Sequence, residues 1–268
     1  MVKEKHIKQD QVNNIWSKVW QQEDKTTPKM IFSSRLFIEG YPVFKKHFPN
    51  NFNRVIEIGG GTGRYGLKIA QEFPDAQVTI TDIVDSSVKF IERLKNELNL
   101  TNVEVKKADV YNLEFREDYF DLIISDVVIQ HLPNDLKAIK EMTKILKPGG
   151  VIIVSGVNLF NLPHTLYKLF HRKEYTYGYE KSYSKKELRR LYNEAGLEII
   201  NEDGFYFAYG IFRLKYIHSI FKLLGKAFNR ITKFLDKFTN RYFSKKFGFE
   251  ILIVGKKFRG KLHSILKA

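Results

Sequence analysis

Short apolar segments alternate with amphipathic segments between residues 54 and 157. The apolar segments are rich in β-branched residues, as strands usually are; they are VIEIG (55–59), QVTITDI (77–83), VEVKKADV (103–110), YFDLIISDVV (119–128) and VIIVSGV (151–157). Segments with helical spacing lie between them, at 66–73, 86–98 and 135–147, and Pro148, Gly149 and Gly150 close the last one. Strands joined by crossover helices predict a parallel sheet covered by helices on both faces.

The second half of the chain extends this pattern. Ser184 and Glu187 form a capping-box pair at the start of a helix over 184–196, and Gly196 is suited to its C-terminal end. Apolar segments at 197–207 and 247–257 add a sixth and a seventh strand. The sequence therefore predicts an α/β fold with a Rossmann-like, seven-stranded, mostly parallel sheet and helices on both faces.

Two helical regions are predicted outside this sheet. One precedes the first strand, at 7–24 and 31–47, and the other lies between strands six and seven. We therefore divide the chain into an N-terminal helical cap (1–50), a core (51–210 with 247–258) and a basic amphipathic helical insertion (211–246).

Composition narrows the class of protein. The 268 residues include no cysteine, which excludes disulfide frameworks, thiolate zinc sites, iron–sulfur clusters and cysteine nucleophiles. The N-terminal segment is polar, and no stretch of about 18 uncharged apolar residues occurs, so we expect neither a secretory signal nor a membrane-spanning helix. These features favour a cytoplasmic protein.

A glycine-rich loop, EIGGGTGRYG (57–66), connects the first strand to a helix. Glycines let the backbone approach a ligand closely, and the following helix N-terminus offers free N–H groups. Gly61, Gly63 and Gly66 have the spacing of nicotinamide-binding enzymes, but in the register of Gly59 the third position is Arg64. The loop therefore fits a dinucleotide-binding motif poorly. A tight turn that binds no ligand is the other alternative.

Two acidic residues follow the next two strands. Asp82 ends the second strand, where a carboxylate can accept hydrogen bonds from the hydroxyls of a ribose. Asp109 lies between Ala108 and Val110 near the end of the third strand, where it can accept from the amine of an adenine. A surface or loop-capping role is the alternative for each acid.

Five motifs occur in order: EIGGGTG, the strand-two acid, ADV (108–110), FDLIISDVVIQHLP (120–133) and LKPGG (146–150). Together they resemble the class I S-adenosylmethionine-dependent methyltransferases, and in particular the type-11 group that includes quinone-biosynthesis enzymes. The resemblance covers about residues 50–205 and the seventh strand. It implies a methyltransferase fold and activity, with S-adenosylmethionine as cofactor.

The resemblance also implies a role for each matching residue. Glu57, Gly59, Gly61 and Gly63 would surround the methionine end of the cofactor. Asp82 would bind the ribose, Ile83 would be a further cofactor-binding residue, and Asp109 and Val110 would hold the adenine. Ser125 and Asp126 would lie near the sulfonium and the amino group, although Asp126 replaces the small or apolar residue often found there. His131 matches a frequent histidine of the group, and a packing role at a helix start is its alternative.

Asp126 and His131 are thus the candidate catalytic residues, and no metal site can be assembled from the sequence. The stretch SDVV lacks the Asn/Asp-Pro-Pro-aromatic signature of amino-group methylation on adenine or glutamine. We expect a small-molecule or lipid-linked acceptor, methylated on oxygen, nitrogen or activated carbon. The acceptor would lie over strands four and five, walled by the N-terminal helices and by residues 158–183, where His164 and His171 are further candidate bases. Trp16, Trp20 and the tyrosines from 175 to 183 could form a lid.

The net charge of +15 is concentrated near the C-terminus. Residues 205–268 contain 15 Lys and Arg against Asp236 and Glu250, whereas residues 1–204 contain 30 basic and 28 acidic residues. Within 217–243 the basic residues fall within about 100° of a helical wheel, at Lys222, Lys226, Arg230, Lys233, Lys237 and Arg241. The large apolar residues fall on the other side, at Ile217, Ile220, Phe221, Leu224, Phe228, Ile231, Phe234, Leu235, Phe238 and Tyr242.

A basic amphipathic helix of this kind predicts binding through 211–247 to an anionic membrane, as a peripheral protein at the inner face. Packing on its own domain or on a second copy, as a homodimer, is the alternative. Nucleic acid is an unlikely partner, so an RNA methyltransferase is a weaker hypothesis. A non-catalytic, S-adenosylmethionine-binding regulatory protein is a further one.

Overall fold

The computed structural model of the protein describes residues 9–20, 25–170, 180–216 and 218–258. Within these ranges, the side chains of residues 9–12, 19, 20 and 216 are not described. The predictions for His171, Ile217 and the tyrosines at 175, 177 and 179 lie outside the described residues, as does the side chain of Trp20.

A single sheet organises the described part of the chain. Its strands are β1 (Arg54–Ile58), β2 (Gln77–Asp82), β3 (Val103–Lys107), β4 (Phe120–Ser125), β5 (Leu146–Val157), β6 (Leu197–Phe205) and β7 (Glu250–Lys257). Their order is β3-β2-β1-β4-β5-β7-β6, with β7 antiparallel to both of its neighbours and the other pairs parallel. The predicted seven-stranded, mostly parallel sheet is confirmed.

The helices lie before, between and after these strands. They are α1 (Gln9–Trp20), α2 (Pro28–Ser33), α3 (Arg35–Lys45), α4 (Arg64–Glu72), α5 (Asp85–Glu97), α6 (Asp135–Ile145), α7 (Leu162–Phe170), α8 (Lys185–Glu194), α9 (Tyr209–Arg213), α10 (Ile220–Phe238) and α11 (Tyr242–Phe247). Short 3-10 turns occur at Ile129–His131 and Leu214–Tyr216. The capping box of Ser184 and Glu187 at the start of α8 is present.

Apolar side chains cover both faces of the sheet. Neighbouring strand residues point to opposite sides, so Val55, Leu122 and Ile153 join a core under α2 to α5. Ile56, Ile123 and Ile152 join a second core under α6 and α8. Burial on both faces explains why the central strands read as continuous apolar runs.

The boundary between α6 and β5 differs from the prediction. We expected the helix to reach residue 147, but α6 ends at Ile145 and β5 begins at Leu146. Leu146 pairs with Phe120, and the register then shifts before Leu122 pairs with Val151. The Lys-Pro-Gly-Gly segment is therefore an irregular start of the strand, because Gly149 has a φ of 81° that permits the bend.

Helix α10 lies between β6 and β7 and contacts the body through a narrow stripe of small and polar residues. Gly225, Asn229 and Thr232 are its buried residues. A Cβ atom at Gly225 would lie 2.8 Å from the ring of Phe212, so glycine allows α10 to approach α9 closely. No helix in the described ranges is long and apolar enough to cross a membrane.

Candidate active site

A cavity of about 340 Å³ opens at the carboxyl ends of β1, β2 and β4. Parallel sheets place ligands beyond these ends, where the strand order reverses, and the volume lies within the range of small-molecule sites. The cavity has two parts. The glycine loop and the strand-end acids surround one, and residues of α1, α3, α7 and α9 line the other.

The glycine loop is shaped by three left-handed residues. Gly59, Gly61 and Gly63 have φ values of 69°, 58° and 67°, a region that other residues rarely adopt. A Cβ atom at Gly59 would lie 2.5 Å from Val128. Gly59 and Gly61 line the cavity, whereas Gly63 does not line it and lies against Ile91.

Asp82 holds the loop and faces the cavity together with Ile83. Its carboxylate accepts hydrogen bonds from the Gly61 N–H at 2.8 Å and the Val84 N–H at 3.0 Å. Burial raises the pKa of Asp82, and these hydrogen bonds oppose that rise. A carboxylate oxygen has more than one acceptor position, so Asp82 can accept from a ribose as well.

Asp109 and Val110 line the same cavity beside Ala108. Strand β3 ends at Lys107, so Asp109 lies in the following turn and its Oδ1 accepts from the Tyr111 N–H at 2.9 Å. In such an arrangement the apolar side chains can pack on an adenine ring, and the Asp109 carboxylate can accept a hydrogen bond from its amine.

Glu57 lies at the end of β1 and is almost fully buried. Its Oε2 accepts from the Gly66 N–H at 2.7 Å, which ties the first turn of α4 to the strand. Burial raises the pKa of Glu57 to about 8, and the hydrogen bond from Gly66 opposes the rise. Glu57 therefore supports the loop and also borders the cavity.

Asp126 belongs to a buried polar cluster beyond the end of β4. It accepts from Arg64 Nη2 at 2.6 Å and from Ser155 Oγ at 2.8 Å, and Ser155 Oγ lies 3.4 Å from Glu250 Oε2. Arg64, Asp126 and Glu250 all line the cavity. Ser125 does not, because its buried hydroxyl donates to the carbonyl of Ile58 at 3.2 Å.

The sequence analysis missed Arg64 and Glu250 as site residues. In the sequence, Arg64 was noted only because it interrupts the glycine pattern. Glu250 was noted only as an acidic residue in a basic region. The signal for Glu250 was available, since FGFEILIVG contains one acid within an otherwise apolar strand. A buried acid in such a strand indicates a function or a partner.

His131 occupies the cavity wall between the two parts. It is buried in the 3-10 turn, and its ring meets Trp16 edge-on with centroids 4.9 Å apart. His164 of α7 also lines the cavity, with Nε2 3.4 Å from Glu180 Oε1, and burial lowers its pKa. His131 and His164 both line the cavity. Their positions alone do not assign a catalytic role to either residue.

The second part of the cavity, where the sequence predicts the acceptor, is lined by Trp16, Leu36, Tyr209 and Phe249, together with polar residues of α7 and α9. Tyr183 does not join it as a lid. Its ring is fully buried and its hydroxyl donates to Asp135 Oδ2 at 2.9 Å. In the described ranges, no group of His, Asp and Glu side chains could hold a metal ion.

The sheet order, the glycine loop and the strand-end acids define a class I S-adenosylmethionine-dependent methyltransferase. A family model described as a methyltransferase domain matches residues 50–196, so the chain belongs to this family. The predicted resemblance to the S-adenosylmethionine-dependent methyltransferases is confirmed at the level of the family, and with it the predicted cofactor class.

Similar proteins agree with this class. The ubiquinone/menaquinone biosynthesis C-methyltransferase of Proteus mirabilis is 29% identical over 56% of this chain and 61% of its own length. A demethylmenaquinone methyltransferase of Staphylococcus epidermidis is 24% identical over 74% of this chain and 89% of its own. The Haemonchus contortus phosphoethanolamine N-methyltransferase 2, solved with S-adenosyl-L-methionine, has a similar fold: the TM-score is 0.63 at 18% identity, over 90% of this chain and 60% of that one.

The residues of this chain fit the cofactor. Glycine at position 59 lets the loop backbone pack against Val128 at the cavity wall, where a Cβ atom would not fit, and the buried Asp82 lines the same wall. The Asp126 carboxylate can face a cationic group, while Arg64 can face a carboxylate. When bound, the cofactor supplies a methyl group on a sulfonium, which is an activated leaving group.

Proposed function

We propose that the protein transfers a methyl group from S-adenosylmethionine to a lipid-linked, quinol-type acceptor at an anionic membrane surface. The names of the Proteus and Staphylococcus relatives support the acceptor class. The observation that carries the proposal is the position of exposed apolar surface, which lies on the helices around the acceptor side of the cavity.

Helix α7 has one face toward the cavity and one face outward. His164 lines the cavity and Tyr167 is buried. The outward face is apolar, with Leu169 and Phe170 exposed by 69% and 70%; Leu159, Phe160, Leu162 and Leu166 add to it. Exposed apolar surface of this extent is typical of an interaction site.

Helix α10 continues the exposed apolar surface. Leu223, Phe234 and Phe238 are exposed by 68%, 60% and 74%, and Ile220, Phe228 and Ile231 are also exposed. Helix α9 packs against both α7 and α10, and its Tyr209 and Arg213 line the cavity. An acceptor whose tail stays in a lipid layer would thus meet the cavity next to α9.

The cations of α10 fall into two groups. Lys233 pairs with Glu39 of α3 at 2.6 Å, and Arg241 donates to the carbonyl of Gly204 at 2.9 Å, so these two hold the helix on the body. In the described part of the chain, Lys222, Lys226, Arg230 and Lys237 make no ion pair and are exposed. They border the apolar face, as in helices that lie at the surface of anionic lipid.

The charge pattern favours a membrane over a second copy of the chain. A second copy would bring four more of these cations to the interface, and like charges repel. An anionic bilayer can bind both the cations and the apolar face of α10. Each basic residue near the bilayer contributes about 1 kcal/mol of binding free energy, and the apolar side chains enter the boundary of the acyl chains. We treat residues 211–246 as the membrane-binding insertion and residues 1–50 as a cap over the acceptor site.

The catalytic assignments of Asp126 and His131 stay predictions. Positioning of the acceptor can supply much of the rate, up to about 7–11 kcal/mol. Asp126 already accepts hydrogen bonds from Arg64 and Ser155, which suits a charge-holding role. His131 lies against Trp16 and can contact an aromatic acceptor.

Transfer of labelled methyl groups tests the activity. The acceptors are demethylmenaquinol in anionic vesicles, demethylmenaquinol in neutral vesicles, and a transfer RNA mixture. We expect the label on the quinol, with the faster rate in anionic vesicles. Label on the RNA alone would contradict the proposal. Cofactor binding without transfer to any acceptor would indicate the regulatory alternative.

Vesicle co-sedimentation tests the surface. One variant changes Lys222, Lys226, Arg230 and Lys237 to Glu. A matched control changes three lysines and one arginine that are exposed elsewhere, Lys89, Arg116, Lys140 and Lys186, also to Glu. We expect the first variant to lose at least about tenfold in binding to anionic vesicles, and salt to weaken wild-type binding. Equal binding of both variants, or equal binding to neutral vesicles, would exclude a membrane role for α10.

A further inference from the structure

Glu250 is a fully buried carboxyl group that the proposed function does not use. It is the first residue of β7 and lies between Val157 of β5 and Phe205 of β6. It lines the cavity. Oε2 lies 3.4 Å from Ser155 Oγ, and Oε1 accepts no hydrogen bond from the described part of the chain. The Asp126 carboxyl is a neighbour that can share a proton with Glu250 when one of the two groups is protonated. A buried oxygen without a partner, at a cavity wall, is available to a ligand.

The charged groups on the cofactor side of Glu250 contain more acids than bases. Glu57 and Asp126 are carboxyl groups, Arg64 is the guanidinium between them, and Tyr65 is buried nearby. Arg64 pairs with Asp126 and not with Glu250. Burial and the neighbouring Asp126 therefore hold the pKa of Glu250 well above its usual value, and Arg64 opposes the rise only in part.

On the acceptor side, Glu250 adjoins the wall built from α7 and α9. The ring of its neighbour Phe249 lies 4.2 Å from that of Tyr209 and 4.9 Å from that of His164. The titratable groups on this side are His164, Glu180 and Arg213. Glu250 thus borders both the part of the cavity that fits the methionine end of the cofactor and the part left for the acceptor.

We propose that Glu250 is the catalytic residue that takes the proton of the acceptor hydroxyl. The inference rests on the proposed function, because it assumes an acceptor of the quinol type. Its basis is the unpartnered Oε1 at the junction of the two parts of the cavity.

The step balances as follows. The O–H bond of the quinol breaks, its proton goes to Glu250 Oε1, and its electron pair stays on the acceptor. The ring carbon forms a bond to the methyl carbon, the methyl–sulfur bond breaks, and that pair remains on sulfur. The ring C–H proton then moves to the ring oxygen, which restores the aromatic hydroquinone. Glu250 finally returns one proton to solvent.

A carboxylate with a raised pKa suits this step, since a base works best when its pKa approaches the operating pH. Asp126 is less suited, because Arg64 and Ser155 already donate to its two oxygens. The carboxylate form of Glu250 is needed, so the rate should rise with pH through the pKa of this group.

The test compares Glu250→Gln and Glu250→Asp with the wild-type chain. Glu198→Gln is the matched control, because Glu198 is exposed on the neighbouring strand β6. The rate of methyl transfer to demethylmenaquinol in anionic vesicles is measured from pH 6 to pH 9. Calorimetry gives the affinity for S-adenosylmethionine, and thermal melting reports folding.

For Glu250→Gln we expect a loss in turnover of about 100-fold or more and no rise with pH, while cofactor affinity stays within about twofold. Glu250→Asp should recover part of the rate and of the pH dependence, and Glu198→Gln should equal the wild type. Infrared difference spectra of the chain with S-adenosylhomocysteine should contain a titrating carboxyl band that Glu250→Gln removes.

The other outcomes separate the two proposals. Wild-type turnover and pH dependence in Glu250→Gln would overturn the role of Glu250 alone. A joint loss of turnover and cofactor affinity would make it a cofactor-binding residue and would also overturn the inference. A wild-type chain that methylates no quinol would overturn the proposed function, and this inference with it.

Discussion

Helices α5 and α10 are both amphipathic, but they present opposite surfaces to the body. Helix α5 buries Phe90, Ile91 and Leu94 against the sheet. Helix α10 buries Gly225, Asn229 and Thr232, and most of its large apolar residues are exposed. An amphipathic sequence pattern therefore predicts that a helix has an apolar face, but it does not predict which surface covers that face.

The difference extends to the two regions that contain these helices. The strand ends and the glycine loop line the part of the cavity that we assign to the cofactor. Helices α7 and α9 line the part that we assign to the acceptor, and α7 and α10 present exposed apolar surface. If this division is correct, changes in one region should alter folding or cofactor affinity, and changes in the other should alter lipid binding.

The largest expected effect comes from a matched pair of isoleucines. Ile91→Ala removes a fully buried side chain of α5 and should lower the free energy of unfolding by about 2–5 kcal/mol. Ile231→Ala removes a half-exposed side chain of α10 and should change it by less than about 0.5 kcal/mol. Urea unfolding measures both. A large loss at Ile231 would mean that the apolar face of α10 is covered within the protein.

Asp82→Ala should weaken cofactor binding. The variant loses charge-assisted hydrogen bonds worth about 1.5–3 kcal/mol each, so affinity should fall about 10- to 100-fold. Calorimetry with S-adenosylmethionine measures this affinity. The variant in which four basic residues of α10 are changed to Glu serves as the control, because it should keep the wild-type affinity. Unchanged affinity in Asp82→Ala would remove the ribose assignment.

Gly225→Val tests the contact between α10 and the body. The new side chain would overlap the Phe212 ring and should cost about 1–3 kcal/mol. Hydrogen exchange along α10 should increase, whereas Ala227→Val on the exposed side should leave it nearly unchanged. Equal exchange in the two variants would mean that the stripe around Gly225 does not hold the helix.

The pH dependence of stability gives a small effect within any single pH unit. The pKa of Glu57 is about 8 in the folded chain, above its unfolded value near 4.3. The folded chain therefore binds more protons at Glu57 than the unfolded chain between about pH 4.3 and pH 8. The free energy of unfolding should decrease over this range as pH rises, by at most about 1.4 kcal/mol per pH unit. Glu57→Gln should flatten this decline in urea-unfolding measurements, and an unchanged slope would contradict the assignment.

Local sequence signals predicted much of the cofactor region. Strands β1, β2 and β4 have clear apolar patterns, and Gly59, Gly61 and Asp82 follow them at the positions where parallel strands direct ligands. These features depend on neighbouring residues and on the geometry common to crossover folds. The start of β5 was less predictable, because a register shift against β4 decides how residues 146–150 pair.

The acceptor region depends on contacts between distant segments. Glu250 meets Ser155 and Asp126 only because β7 inserts antiparallel between β5 and β6. His164, Tyr209 and Trp16 lie on three separate helices. No local sequence pattern indicates that these helices meet at one cavity.

The sequence by itself determined the sheet, the glycine loop, the strand-end acids and the two faces of α10. Each follows from local periodicity, from backbone freedom at glycine or from the chemistry of a side chain. Only the tertiary structure decided which face of α10 is buried and which groups surround Glu250. Burial and electrostatic environment are set by segments far apart in the chain, and no local pattern contains that information.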